Sequence, residues 1–305
     1  MELIKPGTRI DFVGMMKKVG FLSIALIIIS LLSLIYHKGP NWGVEFTGGT
    51  EIHIKLKKDL ELSQVENILK STGYAPKAVQ RLGLSGDNEY LIRFSPELVK
   101  FDQIQEFQTK LEGIMKDNPE FEGGLILRVD YIGPRVGSEL ITKAVISILL
   151  GCVGILIYVM FRFEFGFAMG AVIALVHDTI ITLGAISITD KEFSLAIVAA
   201  LLTVIGYSVN DTIIIFDRIR ENLRKSGKSS FREVVNEGIN QTLSRTILTS
   251  VTVFLVLIPL FILGGSVIHD FAFTLIVGAV VGTYSSIFVA SAIVILWRQR
   301  KSSAT

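Results

Sequence analysis

Three ionisable side chains in this 305-residue sequence lie where an apolar environment is expected. His177 and Asp178 sit midway along one apolar run. Asp211 sits in the next, flanked by Tyr207, Ser208, Asn210 and Thr212. Insertion scales put a carboxylate at the centre of a membrane helix at about 2.5–3.5 kcal/mol, so such groups face a cavity or a partner and mark ion or proton pathways. Arg245 opens a later apolar run, followed inward by Thr246, Thr249 and Thr252. Arginine stays charged throughout a proton cycle. A carboxylate that alternates between a proton and an arginine would therefore make a relay of Asp211 and Arg245. One elementary charge crossing 100 mV is worth about 2.3 kcal/mol, comparable with the cost of a charged carboxylate in lipid. One gap stands against the pair. Arg245 lies nearer the membrane surface than Asp211, and helical side chains lean towards the N-terminus, here outward. A kink or a water-filled cavity must close that distance. Asn210, Asp178, His177 and Thr246 are the secondary candidates.

Other chemistries fit less well. Two aspartates on neighbouring membrane helices suggest an intramembrane aspartyl protease, which pairs Tyr-Asp with Gly-x-Gly-Asp and Pro-Ala-Leu. The stretches here are Val176-His177-Asp178, Ser208-Val209-Asn210-Asp211 and Ile258-Pro259-Leu260, and none matches. Neither Gly-x-Ser-x-Gly nor His-Glu-x-x-His occurs. The chain reads as a non-enzyme. Lys225-Ser226-Gly227-Lys228-Ser229 is not a phosphate loop, because Asn222 stands where the motif needs glycine and no strand precedes it. The sequons at Asn210 and Asn240 fall in a membrane run and on the cytoplasmic side, and are read as chance.

The elements that must position these groups follow from composition. Half of the residues are hydrophobic and 19% are charged, against about 25% charged in a soluble domain; mean hydropathy is +0.56. Residues 37–138 hold 28 of the 58 charged side chains, which leaves the rest strongly apolar. Disorder, a disulfide scaffold and a soluble two-domain enzyme are excluded. The single cysteine, Cys152, lies in an apolar run and reads as packing, and a net charge of +2 gives no case for nucleic acid.

A bilayer core of about 30 Å needs roughly 20 apolar helical residues. Six runs qualify: 19–36, 139–161, 166–189, 194–217, 245–264 and 270–297. The first lacks a cleavage site and reads as a signal anchor, while Pro259 in the fifth marks a kink rather than a break. Lys and Arg in the short connections and tails number 15 on one side and one, Lys191, on the other. The positive-inside rule then places the N-terminus (1–18), the basic loop 218–244 (with an interfacial helix) and the tail 298–305 in the cytoplasm. Residues 37–138 become an exported domain. There, Glu51 to Lys57 alternates as a half-buried strand, and Ser63–Ser71 and Phe101–Met115 repeat at helical spacing. Ala78–Leu84 and Glu89–Phe94 form a hairpin across Ser85-Gly86-Asp87-Asn88, and Leu125–Ile132 is a last strand. The order is βαββαβ, the ferredoxin-like split motif, and its residues suggest a binding or mechanical module.

Several motifs resemble those of a known family. Gly43-Val44-Glu45-Phe46-Thr47-Gly48-Gly49 resembles a Gly-Val-Asp-Phe-x-Gly-Gly signature, with Glu for Asp. Tyr131-Ile132-Gly133-Pro134-Arg135-Val136-Gly137 resembles the family's junction motif. Gly206 to Thr212, running on to Phe216-Asp217-Arg218-Ile219-Arg220-Glu221-Asn222, resembles the fourth-helix motif, and Leu243-Ser244-Arg245-Thr246 that of the fifth helix. On these motifs the chain is similar to the SecD/SecF family of preprotein-translocase proteins, on its SecF side. The resemblance implies an RND-like half of six membrane helices in the bacterial inner membrane, both termini cytoplasmic. It implies SecD as heterodimer partner, the SecYEG translocon, YajC and YidC as further associates, and unfolded preprotein at the periplasmic domain. It also implies use of the proton-motive force late in export, with protons as coupling ion and no cofactor. The family's essential Asp falls on Asp211 and its Arg on Arg245, while Asp178 keeps a packing role. The alternatives are a half-unit of an RND-type small-molecule efflux transporter and a purely structural translocon scaffold.

Overall fold

Among the described residues six helices are long and apolar enough to cross a membrane, and the chain is a polytopic helical membrane protein. The computed structural model describes residues 9–82, 86–99, 101–225, 227 and 229–303. The end of the expected strand at residues 83–84, the turn residue Ser85, and Ser226 and Lys228 of the basic segment lie outside the described residues, as do both chain ends.

Helix α1 (Phe12–Tyr36) starts on Asp11, whose side chain accepts the Gly14 N–H. It begins seven residues before the apolar run proper because the chain is held there from outside. Asn240 accepts the Ile10 N–H at 2.8 Å, Asn236 accepts the Val13 N–H at 3.1 Å, and both amides donate to the Ile10 carbonyl. The sequon asparagine thus has a structural role. After α1 come a two-residue strand β1 (Asn41–Trp42), a single turn α2 (Val44–Thr47) and strand β2 (Gly49–Lys55). Helix α3 (Leu62–Ser71), strands β3 (Ala78–Leu82) and β4 (Glu89–Phe94), helix α4 (Ile104–Asp117) and strand β5 (Leu125–Ile132) complete the polar domain.

Its four strands pair antiparallel in the order β3-β4-β2-β5. Period-two alternation puts Ile52 and Ile54 on the helix-covered face, 0% and 1% exposed. They meet Val65 and Leu69 of α3 and Phe107, Leu111 and Met115 of α4. Met115 rather than the expected Ile114 takes the deep position, a step of four from Leu111 instead of three.

Helix α5 (Pro134–Arg162) begins with proline at its first position, where a missing N–H costs nothing. Helix α6 (Phe165–Ile188) leads to strand β6 (Glu192–Phe193), then α7 (Leu195–Lys225) and α8 (Phe231–Leu263). Last comes one rod made of α9 (Ser266–Ser285), a π-helical turn (Ser286–Ala290) and α10 (Ser291–Ser303). Of the most apolar window of each helix, 56% is buried in α6, α7 and the last rod, against 11–17% in α1, α5 and α8. The first three form the bundle core and the others its lipid-facing flank.

Within the basic segment 218–244, α7 runs on to Lys225 and α8 begins at Phe231, so helix accounts for most of its described residues. Glu221 pairs with Arg218 (2.7 Å) and Lys225 (2.6 Å), extending α7. Ser230 and Glu233 form a capping box that starts α8. Gln241 accepts from both Arg218 and Asn222, joining the two extensions. Pro259 lies inside α8 without ending it.

Candidate functional site

Along α7 the polar residues separate onto two faces. Tyr207 and Asp211 stack at i, i+4 on one face, and Ser208 and Thr212 on the next. The second face looks into the bundle core. Ser208 Oγ donates to Asp178 Oδ2 at 2.5 Å, and Ser285 Oγ of α9 donates to the same oxygen at 2.8 Å. His177 Nδ1 lies 2.8 Å from Asp178 Oδ1. His177 Nε2 lies 2.9 Å from the Tyr284 hydroxyl, so the imidazole bridges Asp178 and Tyr284. Asp178, 1% exposed, is therefore the hub of a hydrogen-bonded seam joining α6, α7 and α9.

Thr212 and Ser286 hydroxyls meet at 2.8 Å, and Ser286 Oγ also donates to the Ser208 carbonyl at 3.2 Å. Ser285 and Ser286 are consecutive, yet one bonds to Asp178 of α6 and the other to Ser208 and Thr212 of α7. They stand where α9 passes into the π turn, the kind of wide turn that recurs at functional sites. The helices come close enough for this because Gly278 and Gly282 of α9 oppose Val204 and Ser208; a Cβ at Gly282 would lie 2.9 Å from Ser208 Cβ. Sequence reasoning missed these α9 hydroxyls. The polar run Thr283-Tyr284-Ser285-Ser286 in an otherwise apolar span was the available signal.

Asp211 differs from Asp178 in every contact. It is 0% exposed, and neither carboxylate oxygen has a hydrogen-bond partner. Thr246 Oγ1, on α8, is likewise buried and unpartnered. No ion pair joins Asp211 and Arg245 among the described residues, and Arg245 is exposed. Tyr207, one turn from Asp211, donates to Ser250 Oγ at 3.0 Å, and Ser250 meets Thr283 Oγ1 at 2.9 Å. These bonds fix α8 against α7 and α9. Asn210 is exposed, on a stripe with Ala199, Thr203 and Gly206. Among the described residues no cluster of His, Cys, Asp or Glu could hold a metal ion.

The polar domain is anchored to this machinery. β1 pairs in parallel with β6, the segment between α6 and α7, in the register Asn41↔Glu192 and Trp42↔Phe193. Trp42, Phe46 and Phe193 form an aromatic trio with centroids 5.3–5.8 Å apart. Arg93 of β4 pairs with Glu51 at 2.7 Å and with Glu192. Burial, and next the Arg93 charge, hold the Lys77 amine below the usual lysine range. Gly48 (φ 73°) and Gly49 (φ 137°) turn the chain from α2 into β2 in the left-handed region that favours glycine. Gly137 of α5 lies against the Phe46 carbonyl, where no side chain fits.

The family model described as Protein export membrane protein SecD/SecF, C-terminal, matches residues 116–300, and the SecD/SecF GG Motif matches residues 33–59. The chain is 44% identical over 298 residues to protein translocase subunit SecF of Calditerrivibrio nitroreducens, covering 97% of this chain and 96% of that one. It is 42% identical over 294 residues to SecF of Vibrio alginolyticus, covering 96% and 91%. The structure of SecDF from Thermus thermophilus, a translocon-associated membrane protein, is similar with a TM-score of 0.84 and 36% identity. A structure of SecDF in a super-membrane-facing form gives 0.72, also at 36%. This chain spans 39% and 40% of those SecDF chains. Matched by the family's C-terminal model over more than half its length and aligned end to end with SecF proteins, it belongs to the SecD/SecF family of protein-export membrane proteins.

Proposed function

We propose that the chain works with a SecD partner to use the proton-motive force late in preprotein export through SecYEG, with Asp211 and Arg245 as its proton relay. The observation that carries this is the isolation of Asp211. A carboxylate in a low-dielectric interior needs either a proton or a cation to neutralise it, and no donor around Asp211 does so permanently. Asp178, by contrast, is saturated by three hydrogen-bond partners and serves as a packing hub. Arg245 reaches Asp211 when α8 shifts against α7, and the proton leaves as the ion pair forms. Protons are the coupling ion, and no cofactor and no enzymatic step are needed.

The exposed Ala199, Thr203, Gly206 and Asn210 stripe on α7 borders Asp211 and suits close approach of a SecD helix. The 15-to-1 distribution of Lys and Arg supports both termini in the cytoplasm of a bacterial inner-membrane protein. The polar domain is then periplasmic. Its antiparallel order β3-β4-β2-β5 with two helices supports the reading as a ferredoxin-like split motif, and unfolded preprotein is its ligand. YajC and YidC complete the set of associates.

The test is Asp211→Asn in a strain exporting a preprotein with and without a proton-motive force. Expected are normal assembly with SecD and loss of the proton-dependent component of export. Normal proton-dependent export by this variant would refute the relay.

A further inference from the structure

An apolar groove of about 610 Å³ runs along the outside of the bundle, between α1, α6 and the last rod. The relay does not use it. On α1 it is lined at helical spacing by Lys17, Gly20, Ile24 and Ile27, and opposite them stand Ile173 and Ala292. The end near Lys17 also holds Arg232, at the start of α8. Neither cation has an ion-pair partner among the described residues. The acidic side chains at the same two helix starts are committed elsewhere: Asp11 accepts the Gly14 N–H and Glu233 the Ser230 N–H.

Lys17 to Ile27 spans about 15 Å of helix rise, equal to roughly half of a 30 Å hydrocarbon core. A slot about one leaflet deep, apolar along its length and rimmed at one end by two unpaired cations, suits an acyl chain with an anionic head. Basic pockets between membrane helices recognise such headgroups. Gly20 keeps the slot open, since an added Cβ there would meet nothing within 4 Å.

We propose that this groove binds an anionic phospholipid, with one acyl chain along Gly20 to Ile27 and the phosphate held by Lys17 and Arg232. The site lies apart from Asp211, on the opposite side of α6, whose His177 forms its inner wall.

The full chain, purified in mild detergent, is incubated with phosphatidylglycerol or phosphatidylcholine of identical acyl chains, and bound lipid is counted by native mass spectrometry. Expected is at least tenfold greater retention of phosphatidylglycerol. Lys17→Gln combined with Arg232→Gln removes that preference. Gly20→Leu, whose Cβ meets nothing within 4 Å and which favours the helix, blocks retention while leaving both cations in place. Glycerol phosphate, a headgroup without chains, does not compete. Melting temperatures in detergent alone check that the variants fold. Equal retention of the two lipids, unchanged retention in both variants, or displacement by glycerol phosphate would overturn the proposal.

Discussion

Asp178→Asn tests the division of labour between the two buried carboxylates. The substitution is nearly isosteric, but an amide offers one accepting oxygen where Asp178 offers two. If the amide nitrogen takes the Oδ2 position, the Ser208 and Ser285 hydroxyls lose their acceptor. If it takes the Oδ1 position, the bond between that oxygen and His177 Nδ1 is replaced by one in which only the amide can donate. Interhelical hydrogen bonds in membrane proteins average about 0.6 kcal/mol and reach about 1.7. Bonds to a carboxylate belong at the upper end. Losing one or two such bonds sets the expected loss at about 1–3 kcal/mol. Asp211→Asn breaks no hydrogen bond in the structure and should change stability by less than about 1 kcal/mol. Measured by reversible unfolding in mixed micelles, Asp178→Asn is therefore the unstable variant and Asp211→Asn the stable one. Proton-dependent export, normalised to folded protein, gives the opposite order. An Asp178→Asn protein that is fully stable but inactive would refute the reasoning and move Asp178 into the relay.

Two further outcomes follow from local geometry. A side chain at Gly184 of α6 would fall on Ser30 of α1, with its Cβ 2.6 Å from Ser30 Cα. Gly184→Val should destabilise by about 1–3 kcal/mol, and adding Ser30→Gly should recover part of that loss, read from unfolding midpoints. In the polar domain the Glu89 carboxyl is held below its usual range, first by the hydrogen bond from Lys55 and also by His53. A lowered folded value means stabilisation that is present above the ordinary glutamate pKa and lost as pH falls through the lowered one. Glu89→Gln should flatten the acid-side loss of domain stability below roughly pH 5, measured by hydrogen exchange on the full chain.

The membrane spans were legible because long, unbroken apolar helices are stable almost nowhere but in a bilayer, and strand β2 because Ile52 and Ile54 alternate with polar neighbours. Asp211 stood out against the same background, as a charge that an apolar helix has no packing reason to carry. The seam around Asp178 was only half readable. A serine in a membrane helix normally satisfies itself on a carbonyl one turn back, so Ser285 and Ser286 gave no distinct signal, and a π turn has no sequence period. The β1–β6 ribbon has two residues on each side, too few for periodicity to show. The basic stretch after Phe216 read as a loop with an interfacial helix because its charges orient the chain. The same charges, paired at helical spacing, extend α7 and α8 beyond the bilayer.

That short ribbon has a mechanical consequence. The domain is rooted at two points: the covalent joints to α1 and α5, and the segment between α6 and α7, held by β1, the aromatic trio and the Arg93–Glu192 contact. The second root lies directly above the two helices that carry Asp178 and Asp211. A tilt of the domain must therefore either drag the α6–α7 corner with it or unzip two residue pairs and one ionic clasp. With the clasp closed, the domain is a crank arm on the two helices that carry the aspartates; with it open, the ribbon and the aromatic trio alone hold the domain there. The Arg93–Glu192 contact therefore tunes how stiffly a tilt of the domain is coupled to the α6–α7 corner.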